Sequence, residues 1–275
     1  MQTIVHIIPK ANLGGTEKDC LYIIEEGRLY VHRVILLGAE GPMVKQWENA
    51  GAEVVILNTL TDKTFTFISN IRKQFQDTKD IVGVMYWSTT KLPLVRFALS
   101  NVKAPLIVHV GNPVQLSMLS RIKFAFSHTF LRSSIRTILF CCSNYVKSSC
   151  VKTSYFNKFQ IQVSLNPVRL NENNHYKARL ISESDSPIIT MTARLDQIKD
   201  HVTVLRAIEI VKSSYPNIRL WLIGDGPLRQ MLEAMCADLS INENVIFHGN
   251  VNNVYEYLQK SDIFVYSTTP AEGLG

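Results

Sequence analysis

Arg194 and Lys199 bracket the run Arg194-Leu195-Asp196-Gln197-Ile198-Lys199-Asp200, which follows an apolar stretch and precedes one with helical spacing. Placed there, both cations can address a single anion, because a helix start offers unpaired backbone N–H groups and charged side chains add strong hydrogen bonds. A second apolar stretch closes in Ile223-Gly224-Asp225-Gly226-Pro227, where glycines keep the backbone slim and Pro227 suits the first turn of a helix. A third leads into His248-Gly249-Asn250-Val251. A fourth leads into Ser267-Thr268-Thr269-Pro270-Ala271-Glu272-Gly273-Leu274-Gly275, a carboxylate followed by backbone that supplies N–H donors. Near the start, Pro9-Lys10-Ala11-Asn12-Leu13-Gly14-Gly15-Thr16-Glu17 pairs two glycines that let backbone approach a ligand closely, with Thr16 expected to cap the next helix. An ordinary strand-to-helix turn accounts for the same residues. His109, within Val108-His109-Val110-Gly111-Asn112-Pro113, puts an imidazole at a strand end, where histidines serve structure as well as chemistry.

The elements that must position these groups alternate regularly. Val- and Ile-rich segments at Thr3 to Pro9, Arg33 to Leu37, Glu53 to Leu57, Ile81 to Trp87, Leu106 to Val110, Thr137 to Cys142 and Ile161 to Leu165 read as strands buried on both faces. Helical spacing lies between them, as in Phe67, Ile68, Ile71 and Phe75, or Leu92, Val95, Leu99 and Val102. The alternation predicts an α/β fold with parallel sheets and helices on both sides, whose ligands bind at the carboxyl ends of the strands. It pauses over residues 169–186, rich in Asn, Glu and Ser, and resumes with strands at Ile188 to Ala193, Arg219 to Ile223, Val245 to His248 and Ile263 to Tyr266. The expected organisation is a domain over 1–168, a linker over 169–186 and a second domain over 187–275.

With 275 residues, 46% hydrophobic and 19% charged, the chain falls outside the disordered and collagen-like classes. Its apolar runs are too short for a membrane span, and its first residues lack the pattern of a secretory signal, so a cytoplasmic protein is expected. The five cysteines, Cys20, Cys141, Cys142, Cys150 and Cys236, have neither disulfide-framework nor zinc spacing and read as packed thiols. The net charge of +6 is uneven. Residues 1–168 hold 19 Lys or Arg against 10 Asp or Glu, net +9, and the remainder hold 10 against 13, net −3. The stretch from Ile81 to Val168 contains no acid at all. Such a field favours an anionic partner. Arg121, Lys123, Arg132 and Arg136 around Phe124, Phe126, Phe130 and Leu131 suggest an anionic membrane surface, against an ordinary core-facing helix.

Together, Arg194 with Lys199, the Gly224-Asp225-Gly226-Pro227 turn, the Val245-to-Gly249 segment, Ser261-Asp262-Ile263-Phe264-Val265 and Glu272-Gly273-Leu274-Gly275 resemble the donor domain of family-four retaining glycosyltransferases, glycosyl transferases group 1, of GT-B fold. Gly14 and Gly15, the His109 strand, Cys142-Ser143 and Asn166-Pro167-Val168 resemble that family's first-domain landmarks, so the likeness covers nearly the whole chain. The resemblance implies transfer of a sugar from a nucleotide diphosphate sugar, held between two Rossmann-like domains, to a glycan or lipid-linked acceptor with retention, and no metal or other cofactor. It makes Arg194 and Lys199 the diphosphate cations. Glu272 would accept from donor-sugar hydroxyls, and Gly273, Leu274 and Gly275 would present N–H groups to sugar or phosphate. His109 would touch the sugar, Gly14 and Gly15 would close on the phosphates, Gly224 would shape the donor loop, and Asn250 would lie near the base.

One departure stands beside these matches. The family pattern places a second Glu eight positions beyond Glu272, to bind the donor ribose, and the sequence stops before it. The expectation is therefore a C-terminally truncated transferase, less stable and less active than a complete one. The alternative is a catalytically inactive nucleotide-sugar-binding protein. A Rossmann oxidoreductase would need a spaced glycine fingerprint that Leu13-Gly14-Gly15 lacks, and no nucleic-acid-binding motif accompanies the basic half.

Overall fold

The computed structural model describes residues 1–76, 78–114, 131, 133–168, 186–251 and 253–274. The chain divides into two compact units, one built on residues 1–169 and one on 170–273. The first unit contains β1 (Thr3–Ile8), α1 (Gly15–Glu26), β2 (Val31–Leu36), α2 (Met43–Asn49), β3 (Glu53–Ile56), α3 (Thr64–Gln74) and β4 (Ile81–Tyr86). It continues with α4 (Leu92–Ala98), β5 (Leu106–Val110), β6 (Thr137–Cys141), α5 (Asn144–Val151) and β7 (Gln160–Val163). The second contains β8 (Ile188–Thr192), α6 (His201–Lys212), β9 (Arg219–Ile223), α7 (Arg229–Asp238), β10 (Val245–Gly249), α8 (Val254–Lys260) and β11 (Ile263–Phe264).

Side-chain alternation along the strands divides the first unit's interior in two. Val5 and Ile7 of β1, Ile35 of β2 and Val84 and Tyr86 of β4 join Phe67, Ile71, Leu92 and Val95 of α3 and α4 in one core. Ile8 of β1 and Val34 and Leu36 of β2 point the other way, against Cys20 and Ile24 of α1 and Met43 and Trp47 of α2. Thus Phe67, Ile68 and Ile71 form the buried stripe their spacing predicts. The second unit packs Leu205 and Ile208 of α6 and Leu232 and Cys236 of α7 on Met191, Leu220 and Leu222 of its sheet.

Both sheets are parallel, with orders β3-β2-β1-β4-β5-β6-β7 and β10-β9-β8-β11. Each begins in its interior, so the order turns round beside the first strand: between β1 and β4, and between β8 and β11. The loops at the carboxyl ends of two such strands part to opposite faces and leave a crevice.

The expectation that every strand is buried on both faces fails at the sheet margins. Glu53 and Ile56 of β3, Gln160, Gln162 and Val163 of β7, and both residues of β11 are exposed, because an outer strand has a neighbour on one side only. β11 is also shorter than the segment expected from Ile263 to Tyr266. Among the described residues no helix is long and apolar enough to cross a membrane. All five cysteines are buried thiols. Most of the expected linker, 169–185, and Arg121, Lys123, Phe124, Phe126, Phe130 and Arg132 of the basic aromatic cluster lie outside the described residues.

Phe67 has no exposed surface. Replacing it with alanine is expected to lower the first unit's stability by about 3–5 kcal/mol, through lost burial and an incompletely collapsed cavity. Urea unfolding followed by circular dichroism checks this.

Candidate functional site

In the second unit the reversal beside β8 brings the loop after β8 and the segment after β11 together. Asp200 N–H donates to Ser267 O at 3.1 Å, Thr269 N–H donates to Ile198 O at 2.9 Å, and Lys199 and Thr268 form an antiparallel bridge. Asp196 organises the loop from within. Its Oδ1 accepts from the N–H groups of Ile198 (3.0 Å) and Lys199 (3.2 Å), while its Oδ2 accepts from Arg194 Nε at 2.6 Å. Burial alone would raise the Asp196 carboxyl, but the bonds from Arg194 and the two N–H groups outweigh it and hold it below the ordinary carboxylate range. Asp200 caps α6 by accepting from Thr203 N–H.

Lys199 and Glu272 meet directly as an ion pair, and the Tyr266 hydroxyl also accepts from Lys199 Nζ. Burial pushes the ammonium down, and these two partners more than reverse it, so its pKa is raised. Arg194 forms a second pair with Asp196, yet its side chain is 65% exposed. Each cation is therefore held by an internal carboxylate, and Arg194 keeps most of its guanidinium towards solvent.

The Gly224 turn fits beneath this loop. Gly224 has φ of +129°, and a Cβ there would lie 2.2 Å from Ala193 O; one on Gly226 would lie 2.4 Å from Leu195 O. Leu195 N–H donates to Asp225 O at 3.1 Å and Gly224 N–H to Gly249 O at 2.8 Å, which ties the ends of β8, β9 and β10 together. Pro227 stands ahead of α7 rather than in its first turn, since Leu228 is the N-cap residue. Asn250 is exposed just beyond β10, Gly273 is buried, Leu274 is exposed, and Gly275 lies outside the described residues.

The first unit has its own pocket at its reversal point, with a volume of about 310 Å³. Its walls include Trp87, Ser88 and Thr89 after β4, His109 and Gly111 at the end of β5, and Thr16 at the start of α1. His109 Nε2 donates to Asn166 Oδ1 at 3.3 Å, and its ring centroid lies 5.2 Å from that of Trp87. Burial lowers the His109 pKa, only partly opposed by Asn166, so the imidazole is neutral at pH 7 with Nδ1 as an acceptor. The sequence suggests Thr16 as the helix cap, and the structure does not place it there. α1 begins at Gly15, Gly14 occupies the N-cap position without a side chain to offer, and the Thr16 hydroxyl is left for the pocket wall. Gly15 faces open space, so a Cβ there would meet nothing within 4 Å.

Sequence reasoning singled out Arg194, Lys199, Glu272, His109, Gly14, Gly15 and Gly224, but assigned nothing to Trp87, Tyr266 or the anchoring carboxylate of Asp196. Position alone signals Trp87 and Tyr266, since each sits where a strand of the reversal point ends. Among the described residues no three His, Cys, Asp or Glu side chains are grouped to hold a metal.

Residues 172–275 match the family described as glycosyl transferases group 1. That stretch is similar to the group 1 glycosyl transferases. Curated relatives agree over short spans. The lipopolysaccharide core biosynthesis glycosyltransferase LpsD of Rhizobium meliloti is 31% identical over 93 residues, 34% of this chain and 26% of that protein. A Campylobacter jejuni N-acetylgalactosaminyltransferase, whose name specifies a diphospho-undecaprenol-linked substrate, is 31% identical over 80 residues, 29% of this chain and 21% of its own. The matched stretch thus spans about a quarter of the length of these relatives. Among solved structures, Anabaena HepE in complex with UDP and glucose superposes with a TM-score of 0.80 at 13% identity, over 100% of this chain and 76% of that one. The lipopolysaccharide outer core galactosyltransferase WaaB follows at 0.68 and 14%, over 98% and 74%. The fold is GT-B, with two Rossmann-like sheets.

Gly224→Ala is expected to destabilise the second unit by at least about 1–3 kcal/mol, the scale of a strained backbone, with the Ala193 carbonyl clash added; denaturant unfolding measures the loss. The raised Lys199 pKa has its own signature. Its stabilising share is fully present below the ordinary lysine value of about 10.4 and is lost as pH rises through the higher folded value. Lys199→Met is expected to remove that part of the alkaline decline in thermal unfolding temperature.

Proposed function

We propose that the chain is a glycosyltransferase that moves a sugar from a nucleotide diphosphate sugar to a hydroxyl of a glycan or lipid-linked acceptor, with retention at the anomeric carbon and no resident metal or cofactor. The observation that carries this reading is the convergence of Arg194, Lys199 and Glu272 at the reversal point of the stretch similar to the group 1 glycosyl transferases. In the reaction the bond from the anomeric carbon to the phosphate oxygen breaks, and the diphosphate keeps the electron pair. The acceptor oxygen bonds to the same face of that carbon, and its proton passes to the departing phosphate. Charge grows on the diphosphate, so cations fixed beside it favour the transition state over the bound donor.

The two ion pairs suit this role. Arg194 is exposed enough to turn from Asp196 to a phosphate, and Lys199 can exchange Glu272 for the diphosphate, freeing Glu272 to accept from sugar hydroxyls. Gly273, Leu274 and Gly275 are assigned N–H contacts to sugar or phosphate, and Asn250 a contact near the base. In the first unit, Gly14 and Gly15 are assigned to the phosphates and neutral His109 to the sugar. The HepE complex makes uridine nucleotides the first donors to test. The relatives' names favour a lipid-linked or lipopolysaccharide acceptor, which fits the acid-free basic stretch and attachment to the cytoplasmic face of an anionic membrane. Nucleic acid is not assigned as a partner.

The test is transfer from a panel of nucleotide sugars, UDP-sugars first, to lipid-linked and lipopolysaccharide acceptors. Arg194→Ala and Lys199→Ala are each expected to slow turnover by about 30- to 1,000-fold, the equivalent of roughly 2–4 kcal/mol. Near-parental rates and unchanged donor affinity in both would remove the phosphate site. Donor binding with no transfer would leave the catalytically inactive nucleotide-sugar-binding alternative.

A further inference from the structure

A line of hydrogen-bonded rings crosses the first unit's sheet from its helix side to the pocket. His32 on β2 contacts Gly27 O through Nε2 at 3.0 Å, His32 Nδ1 meets His6 Nε2 on β1 at 2.9 Å, and Trp87 Nε1 donates to His6 Nδ1 at 3.3 Å. An indole N–H can only donate, and that fixes the whole line. His6 must accept at Nδ1, carry its proton on Nε2 and give it to His32 Nδ1; His32 then carries its proton on Nε2 and gives it to Gly27 O. Adding a proton to either ring would set one N–H against another. Burial, reinforced by the neighbouring His32, accordingly pushes His6 down to about 3, so it stays neutral.

The surroundings hold the line in place. His6 and His32 are both buried and stack at 5.2 Å, and Trp87, 5% exposed, stacks on His6 at 6.2 Å. Gly27 makes the last bond possible, because a Cβ there would lie 2.5 Å from His32 Nε2. At the other end Trp87 lies against His109, whose second contact is Asn166. The line of hydrogen bonds thus ends at Trp87, whose ring lies against the pocket-wall imidazole of His109.

We infer that Trp87 is a positioning residue for His109, and that the buried His6–His32 pair is what fixes Trp87 for this purpose. The indole is almost wholly covered and its N–H is taken by His6, so its part in the pocket wall is to back the His109 ring. Held between Trp87 and Asn166, His109 keeps a single tautomer, with Nε2 protonated towards Asn166 and Nδ1 offered to a donor. The functional consequence rests on the proposed sugar contact of His109; the positioning itself does not.

The experiment uses the full chain with ring-nitrogen labelling of histidine and tryptophan, without substrate. Trp87→Phe identifies the indole signal and keeps an aromatic ring while removing the N–H. His6→Phe fills the space of the imidazole while leaving Trp87 without its acceptor, and His109→Asn identifies the His109 signals. The parent is expected to show His109 as one Nε2-protonated tautomer and a slowly exchanging Trp87 N–H. In folded His6→Phe the indole N–H is expected to exchange at least about tenfold faster, and in both the His6 and Trp87 variants the His109 shifts should move to a tautomer mixture. Loss of thermal stability alone, with the His109 pattern unchanged, would reduce the line to a packing feature and overturn the inference. If His6→Phe does not fold, the His109 pattern in Trp87→Phe decides. In transfer assays the Trp87 variant should raise the donor KM more than it lowers kcat. Absence of transfer in the parent would refute the proposed activity while leaving the tautomer result to judge the positioning.

Discussion

A parallel sheet whose chain starts in the middle must reverse its order beside the first strand, and in this protein everything chemical follows from that reversal. The crossover leaving β1 goes to one side and the strand on its other flank, β4, continues away, so the loops at their carboxyl ends separate. The same constraint operates between β8 and β11. The second unit uses the opening for two ion pairs and a glycine turn, and the first unit uses it for a pocket with an imidazole. Helix starts converge there because each right-handed crossover begins just beyond the sheet edge. Charge, backbone donors and space thus coincide without any of them specifying the others.

The two reversal points are held by different physics. Around β8 and β11 the contacts are ionic: Arg194, itself mostly exposed, with Asp196, and the largely buried Lys199 with Glu272 and Tyr266. An exposed pair such as that of Arg194 gains only modest energy in a watery setting. Asp196 is the exception in the group, because two backbone N–H groups bind its other oxygen and keep it in place when Arg194 leaves. Loop shape is therefore decoupled from cation pairing. A ligand can take Arg194 without unfolding the turn that presents Lys199.

Legibility in the sequence followed the range of the interactions. Strands and helices came from periodicity, which is local, and the Gly224 turn came from residue types that only a tight close approach requires. Arg194, Lys199 and Glu272 were readable as strand-end residues because charge after an apolar run is rare without purpose. What escaped was non-local or depended on a two-residue shift of a helix start. Thr16 has the chemistry of a cap, yet the helix starts at Gly15 and turns its hydroxyl to another use. Pro227 has the chemistry of a first turn, yet Leu228 intervenes. Gln160 and Gln162 of β7 and Glu53 of β3 carry their exposure in their residue types, whereas Ile56, Val163 and the Ile263-Phe264 pair of β11 are apolar and are exposed at the sheet margins. His6, His32 and Trp87 are far apart in sequence, and each alone reads as an ordinary buried residue.

Those three residues also show why a buried polar line is tolerated in an otherwise apolar face. His6 and His32 share their face with Val34, Leu36 and Ile8, where an unpaired ring nitrogen would cost about 1–3 kcal/mol. The line escapes that cost because its four ring nitrogens and the indole are satisfied by one another and by Gly27 O, in a single arrangement. A carboxylate in place of either histidine would bring a charge into the apolar layer, an aliphatic residue at His6 would orphan the indole, and one at His32 would orphan the His6 Nε2–H. Neutral imidazoles can accept at one nitrogen and donate at the other, which makes them suited to carry a fixed direction across two strands. The ionic site trades rigidity for exchange; this one trades exchange for direction, and direction is what a neutral hydrogen-bonding group such as His109 needs from its neighbours.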